Sequence, residues 1–79
     1  MSTKQVTIYS TPTCHYCTLA KQFFDTSGVS YQDKNVALDR SAAQEMIMKS
    51  GQMGVPVIDI EGSIVVGFQP NIFEQLLKK

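Results

Sequence analysis

The only two cysteines of the chain, Cys14 and Cys17, stand three positions apart in the stretch Thr11-Pro12-Thr13-Cys14-His15-Tyr16-Cys17. A β-branched apolar run precedes them and a helix-period pattern follows. A Cys-x-x-Cys placed where a strand turns into a helix reads as a dithiol/disulfide redox pair. A purely structural disulfide closing so short a loop would stabilise little, since the gain grows with loop length. A zinc site needs four Cys or His ligands as a rule. This chain offers two Cys and one His, so a shared metal or cluster would need two chains. Inert buried thiols fit poorly with polar and aromatic neighbours at a helix start. At that position the sulfur of Cys14 would face unpaired N–H groups and the positive end of the helix dipole. Both favour the thiolate, which is the attacking species.

The elements that must hold this pair follow from hydrophobic period and turn residues. Lys4 to Ser10 is β-rich and reads as a first strand. Pro12 cannot continue a sheet ladder, and it biases Thr11 toward an extended conformation. A helix beginning near Thr13 or Cys14 carries Leu19, Ala20, Phe23 and Phe24 on one stripe and stops at Gly28. Val29 to Val36 reads as a second strand, diluted by Asp33-Lys34-Asn35. Asp39 or Ser41 caps a second helix with Ala43, Met46 and Ile47 on its inner face, ending at Ser50-Gly51. Met46 and Met48 are read as gap-filling or surface residues rather than ligands. Val57 to Ile60, the turn Glu61-Gly62-Ser63 and Ile64 to Val66 form a hairpin. Pro70 opens a last helix, with Ile72, Phe73, Leu76 and Leu77 as its stripe.

The order β-α-β-α-β-β-α predicts an α/β fold with a four-stranded mixed sheet and three helices. The first and third helices lie on one face and the second on the other, after a right-handed βαβ unit. Working sites in such sheets lie beyond the carboxyl ends of the parallel strands, where Cys14 sits. A chain of 79 residues with seven acidic and seven basic side chains is one small domain, 1–79, without a basic patch for nucleic acid. The Lys78-Lys79 pair reads as positive charge at a helix C-terminus. No run is long enough for a membrane span, and no export signal opens the chain. With two cysteines, that points to the cytoplasm, where a disulfide is transient and catalytic.

Thr-Pro-Thr-Cys-His-Tyr-Cys after a strand, then Gly54-Val55-Pro56-Val57-Ile58 and a late Gly67-Phe68, resembles the glutaredoxin family of the thioredoxin fold over essentially the whole chain. The resemblance is to short bacterial glutaredoxin-like redoxins, a group that includes the small redoxins serving ribonucleotide reductase. It implies a thiol–disulfide oxidoreductase, reducing protein disulfides or glutathione mixed disulfides, in which Cys14 is the nucleophile and Cys17 the more buried resolving thiol. It implies a substrate-binding rim of Thr11, His15, Tyr16, Val55, Pro56, Gly67, Phe68 and Gln69. Tyr16 would flank the bound thiol compound, or cap the helix edge as a surface aromatic. Pro56 would follow a cis bond that leaves the backbone of Val55 free to pair with substrate. Gly67 and Phe68 would receive a carboxylate. His15, if protonated, would favour the adjacent thiolate and make the disulfide more oxidising, or would be a solvated imidazole of little effect.

The chain departs from glutathione-using members at three places. Thr11 stands where they carry Lys, and Gly54-Val55-Pro56 where they have Thr-Val-Pro. Val66-Gly67-Phe68-Gln69-Pro70-Asn71 replaces their late Gly-Gly with paired Asp. These changes weaken a carboxylate clamp and an acidic grip on the glutathione amine, leaving Gln52, Gln69 and Asn71 as neutral hydrogen-bonding groups. The expected partners are disulfide-bearing protein clients, with glutathione as co-substrate or a flavin-dependent, thioredoxin-reductase-like enzyme as electron source. A monomer with no bound cofactor and no metal is expected. Two other readings stay open: a dedicated electron donor to one enzyme, such as ribonucleotide reductase or a peroxidase, and a dimer sharing an iron–sulfur cluster through Cys14.

Overall fold

The structure, a computed structural model, describes residues 5–78. Lys4 and Lys79, assigned above to the first strand and the last helix, lie outside them. The elements are β1 (Val6–Ser10), α1 (His15–Thr26), β2 (Gln32–Asn35), α2 (Arg40–Ser50), β3 (Val57–Ile60), β4 (Ser63–Val66) and α3 (Pro70–Lys78). They form one sheet of order β2-β1-β3-β4, with β1 parallel to β2 and the other two pairings antiparallel. Element order and sheet type are as the sequence predicts.

Alternation along the strands divides the side chains between two faces. Val6 and Ile8 of β1, Ile58 and Ile60 of β3 and Val65 of β4 meet Ala20 and Phe24 of α1 and Phe73 of α3. Tyr9 and Val57 turn to the opposite face, against Met46 of α2. Each boundary has a local cause. Gly28 ends α1 with φ 73°; its amide donates to the Asp25 carbonyl and that of Val29 to Phe24, which closes the last turn. Asp39 caps α2, its carboxylate accepting from the Ala42 amide at 3.1 Å. Glu61 and Gly62 both have positive φ, 51° and 94°, the backbone of a two-residue hairpin turn whose twist matches its strands.

Three expectations need correction. The second strand is Gln32–Asn35, shorter than Val29 to Val36, and consists of Gln32 and the three polar residues Asp33-Lys34-Asn35 that dilute the pattern. It is an edge strand tied by charge: Asp33 accepts from Ser10 Oγ at 2.7 Å and pairs with Lys21 at 2.7 Å, and Lys34 pairs with Glu45 at 3.0 Å. In α2 the buried residues are Ala42 and Met46, one turn apart, while Ile47 faces solvent. In α3 only Phe73 is fully buried, and Ile72 is exposed.

On the α2 face the phenol of buried Tyr9 donates to the Glu45 carboxylate, and Lys34 and Lys49 flank the ring. These contacts, the Tyr9 hydrogen bond first and that from Lys34 second, hold the Glu45 carboxyl down at about 2 against its ordinary 4.5. A depressed folded-state value means that the contribution is complete above pH 4.5 and is lost as pH falls through about 2. Glu45→Gln is therefore expected to melt below the parent at pH 7, the two converging as pH drops across that window. With Glu45 about a third exposed, screening limits the difference to a few degrees, roughly 2–6 °C by calorimetry.

Candidate active site

Cys14 is the N-cap of α1, with extended backbone, φ −90° and ψ 113°, and its Sγ accepts from the amide of Cys17 at 3.1 Å. Its own amide closes the preceding turn on the Thr11 carbonyl at 3.3 Å. Pro12 fits this turn because it needs no ladder hydrogen bond. Cys14 and Cys17 are joined as a disulfide, their Cα atoms 5.2 Å apart, within the span such a bond needs. The two sulfurs differ in access: Cys17 is 1% exposed, whereas Cys14 is half-buried at the helix tip. Only Cys14 is placed to meet a second disulfide in solution.

Sheet register brings distant segments to this tip. Tyr9 stands opposite Val57, and Val57 opposite Val66. One residue further along, Ser10, Pro56 and Gly67 lie abreast at the sheet's end, and the Gly67 amide donates to the Pro56 carbonyl at 2.9 Å. Thr11 follows Ser10 and leads into the cysteine turn. The Val55–Pro56 bond is cis. Among the described residues, neither the amide nor the carbonyl of Val55 has a hydrogen-bond partner. Phe68 packs inward against Phe73, ring centroids 6.0 Å apart. His15 and Tyr16 are exposed on the first turn and meet edge to face at 5.6 Å. The Gln69 side-chain amide donates to the Val66 carbonyl at 2.7 Å, so that donor covers the open edge of β4.

One further set of residues supports the tip. Ser10 is the buried polar residue of β1, 2% exposed on the face of Val6 and Ile8. Its hydroxyl needs a partner and finds Asp33, which Lys21 also holds, one helical turn beyond Cys17. A serine ending an otherwise apolar inward stripe is the sequence signal for such a tie, although nothing local identifies Asp33 as its acceptor.

Charge is distributed unevenly around the disulfide. The segments 11–20, 50–58 and 62–73 beside the disulfide contain no Lys, Arg, Asp or Glu; the β2–α2 connection, which leaves the same end of the sheet next to Ser10, carries Asp39, the cap of α2, and Arg40. The rim presents hydroxyls, amides, backbone and the exposed apolar side chains of Tyr16 and Met53, 59% and 78% accessible. Among the described residues no group of three or more His, Cys, Asp or Glu is arranged to hold a metal ion, and no helix is long and apolar enough to cross a membrane.

Comparison with known proteins agrees with this geometry. The glutaredoxin family model matches residues 6–65. A glutaredoxin-like 8.6 kDa protein from the rubredoxin operon of Clostridium pasteurianum is 42% identical over 74 residues, spanning 94% of this chain and 99% of that one. Glutaredoxin 3 of Escherichia coli K12 is 37% identical over 62 residues, 78% of this chain and 75% of its own. Among solved structures, the glutaredoxin-like NrdH-redoxin from Escherichia coli, described as having a thioredoxin-like activity profile, superposes with a TM-score of 0.81. It is 25% identical, and the match covers 91% of this chain and 93% of that one. The architecture is thioredoxin-like, as its element order implies.

Proposed function

The chain belongs to the glutaredoxin family and is a thiol–disulfide oxidoreductase, and from that premise we propose that it reduces protein disulfides and draws its electrons from a flavin-dependent, thioredoxin-reductase-like enzyme. The observation that carries this reading is the absence of charge from the segments 11–20, 50–58 and 62–73 beside the disulfide. Glutathione at neutral pH bears two carboxylates and an ammonium group. Tight recognition of carboxylates relies on Arg or Lys, whose charge-assisted hydrogen bonds are about twice as strong as neutral ones. Thr11, Gly67, Phe68 and Gln69 offer no formal charge. An extended polypeptide needs none, because the free amide and carbonyl of Val55 suit backbone pairing and Tyr16 and Met53 offer apolar contact. The thioredoxin-like profile ascribed to NrdH-redoxin, a protein of similar size and shape, points the same way.

In this mechanism the reduced Cys14 is a thiolate, stabilised by the Cys17 amide and the first turn of α1. It attacks one sulfur of the client disulfide, so that a Cys14–client bond forms and the client S–S bond breaks, releasing one client thiolate. Cys17 then loses its proton and attacks Cys14 Sγ. The second client sulfur leaves, two electrons have passed to the client, and the Cys14–Cys17 disulfide is restored. The reductase returns two electrons from NAD(P)H.

A paired turnover assay tests the electron source. With a client protein disulfide as acceptor, NADPH and a thioredoxin-reductase-type flavoenzyme should sustain turnover at least about tenfold faster than glutathione with its own reductase, as loss of roughly 1.4 kcal/mol of carboxylate pairing implies. Faster turnover with glutathione would overturn the proposal.

A further inference from the structure

We propose that Lys49 is a positioning residue for substrate binding: its ion pair with Asp59 clasps the base of the segment 50–58 and holds Val55 in place to pair with the client backbone. The inference rests on the reading of Val55 just given. Lys49 lies in the last turn of α2 and Asp59 in the middle of β3. Between them runs the connection that carries Val55 and Pro56. Nζ of Lys49 is 2.7 Å from Asp59 Oδ2, and the Asp59 side chain is only 14% exposed. The other oxygen of that carboxylate accepts from the Gly62 amide at 2.7 Å, fixing it to the hairpin turn. The same ammonium reaches the Tyr9 hydroxyl at 3.2 Å and Glu45 at 3.5 Å. One cation thus joins the end of α2 to β3 and to β1, the strand that leads into Cys14.

The side chain of Val55 packs against Tyr9, Met46 and Val57, while the hydrogen bonds that tie the rest of the connection are few. The side-chain hydroxyl of Ser50 donates to the Met46 carbonyl at 2.7 Å, with the Gln52 carbonyl also within reach at 3.2 Å, and it accepts from the Gln52 amide at 3.2 Å. The Gln52 side chain reaches only the Gly54 carbonyl, at 3.5 Å. All of these bonds are local. Among the described residues the next tie to another strand is the Gly67 amide on Pro56. Gly51, left-handed at φ 75°, and Gly54 add no side-chain packing. Asp59 and Tyr9 also hold the Lys49 ammonium well above its ordinary pKa, so the clasp persists throughout the range in which thiol exchange proceeds.

The test compares Lys49→Met, Lys49→Arg and the parent, with reduced protein acting on an extended peptide that contains a disulfide. A small aromatic disulfide lacking a peptide backbone is the second substrate. Lys49→Met should raise KM for the peptide roughly five- to tenfold, as a displaced binding segment does. Its kcat, its rate with the aromatic disulfide and its Cys14 thiol titration should stay at parental values. Lys49→Arg should keep the parental KM. Asp59→Asn, alone or combined with Lys49→Met, should match Lys49→Met, because both changes open the same clasp.

An unchanged KM in a folded Lys49→Met overturns the proposal, as does an equal loss on both substrates. Methylating the peptide amide that faces Val55 identifies which step failed. If the parent binds the methylated peptide as well as the plain one, the backbone-pairing reading has failed. If methylation weakens binding while Lys49→Met does not, the clasp has failed and the pairing stands.

Discussion

Cys14→Ser is expected to bring disulfide reduction down to the uncatalysed background, a fall on the order of 10³-fold or more, because a hydroxyl does not replace a thiolate in thiol–disulfide exchange. The fold should survive, since serine is a favoured N-cap and can accept the hydrogen bond that the Cys17 amide now gives to Cys14 Sγ. Cys17→Ser should behave differently. Cys17 is 1% exposed and cannot reach a foreign disulfide, so its loss leaves the first attack intact and stops the second. The client should remain attached to Cys14, visible as a mass increase of one client per chain that dithiothreitol removes. Turnover assays, thermal melts and intact-mass spectra of both variants check these outcomes. Equal loss with no trapped adduct in Cys17→Ser would remove the division of labour drawn from the two burials.

How much of this was legible in the chain depended on whether a signal was local. Glu61-Gly62 between two β-branched runs fixes a hairpin, and the structure gives it the expected turn. The Phe23–Phe24 stripe and Gly28 fix α1 and its end. The second strand failed the same test because its stability is not local: Asp33 and Lys34 find Ser10, Lys21 and Glu45 across the fold, and polar residues on an edge leave no apolar alternation to read. The inner face of α2 differs from its apolar spacing for a related reason. A small alanine at 42 fits beneath the helix, while the bulkier Ile47 is left outside. The Lys49–Asp59 pair is not legible in the sequence, because neither residue type nor spacing marks a pair ten residues apart on different elements. The cysteine turn was readable from residues alone, whereas Val55, Pro56 and Gly67 entered as site residues only through family resemblance. Their common location is a product of strand register, which a single sequence does not display.

Phe24→Ala should have the largest effect on stability, and its consequence for the chemistry follows from where α1 docks. Phe24 is fully buried, with ring contacts to Phe23 at 5.3 Å, Phe73 at 5.2 Å and Tyr31 at 6.2 Å. Truncating such a side chain removes about 3–5 kcal/mol, through lost transfer energy and the cavity left behind. At roughly 0.05–0.15 kcal/mol per residue a chain of this size holds only about 4–12 kcal/mol in all. The melting temperature should therefore fall on the order of 20 °C, since each kcal/mol shifts a domain this small by about 4–8 °C. Ile72→Ala, at a 38% exposed position, should move it by no more than a few degrees, roughly the ±0.5 kcal/mol of a surface change. Phe24 and Cys17 share one helix, and Cys17 is buried only while that helix lies on the sheet. In the reduced protein, alkylation of Cys17 should accelerate in Phe24→Ala by the factor by which helix opening is favoured, while Cys14, already accessible, should react as before. Parallel acceleration at both thiols would mean that the aromatic core does not govern access to the second sulfur, and the resolving step would need another source of protection.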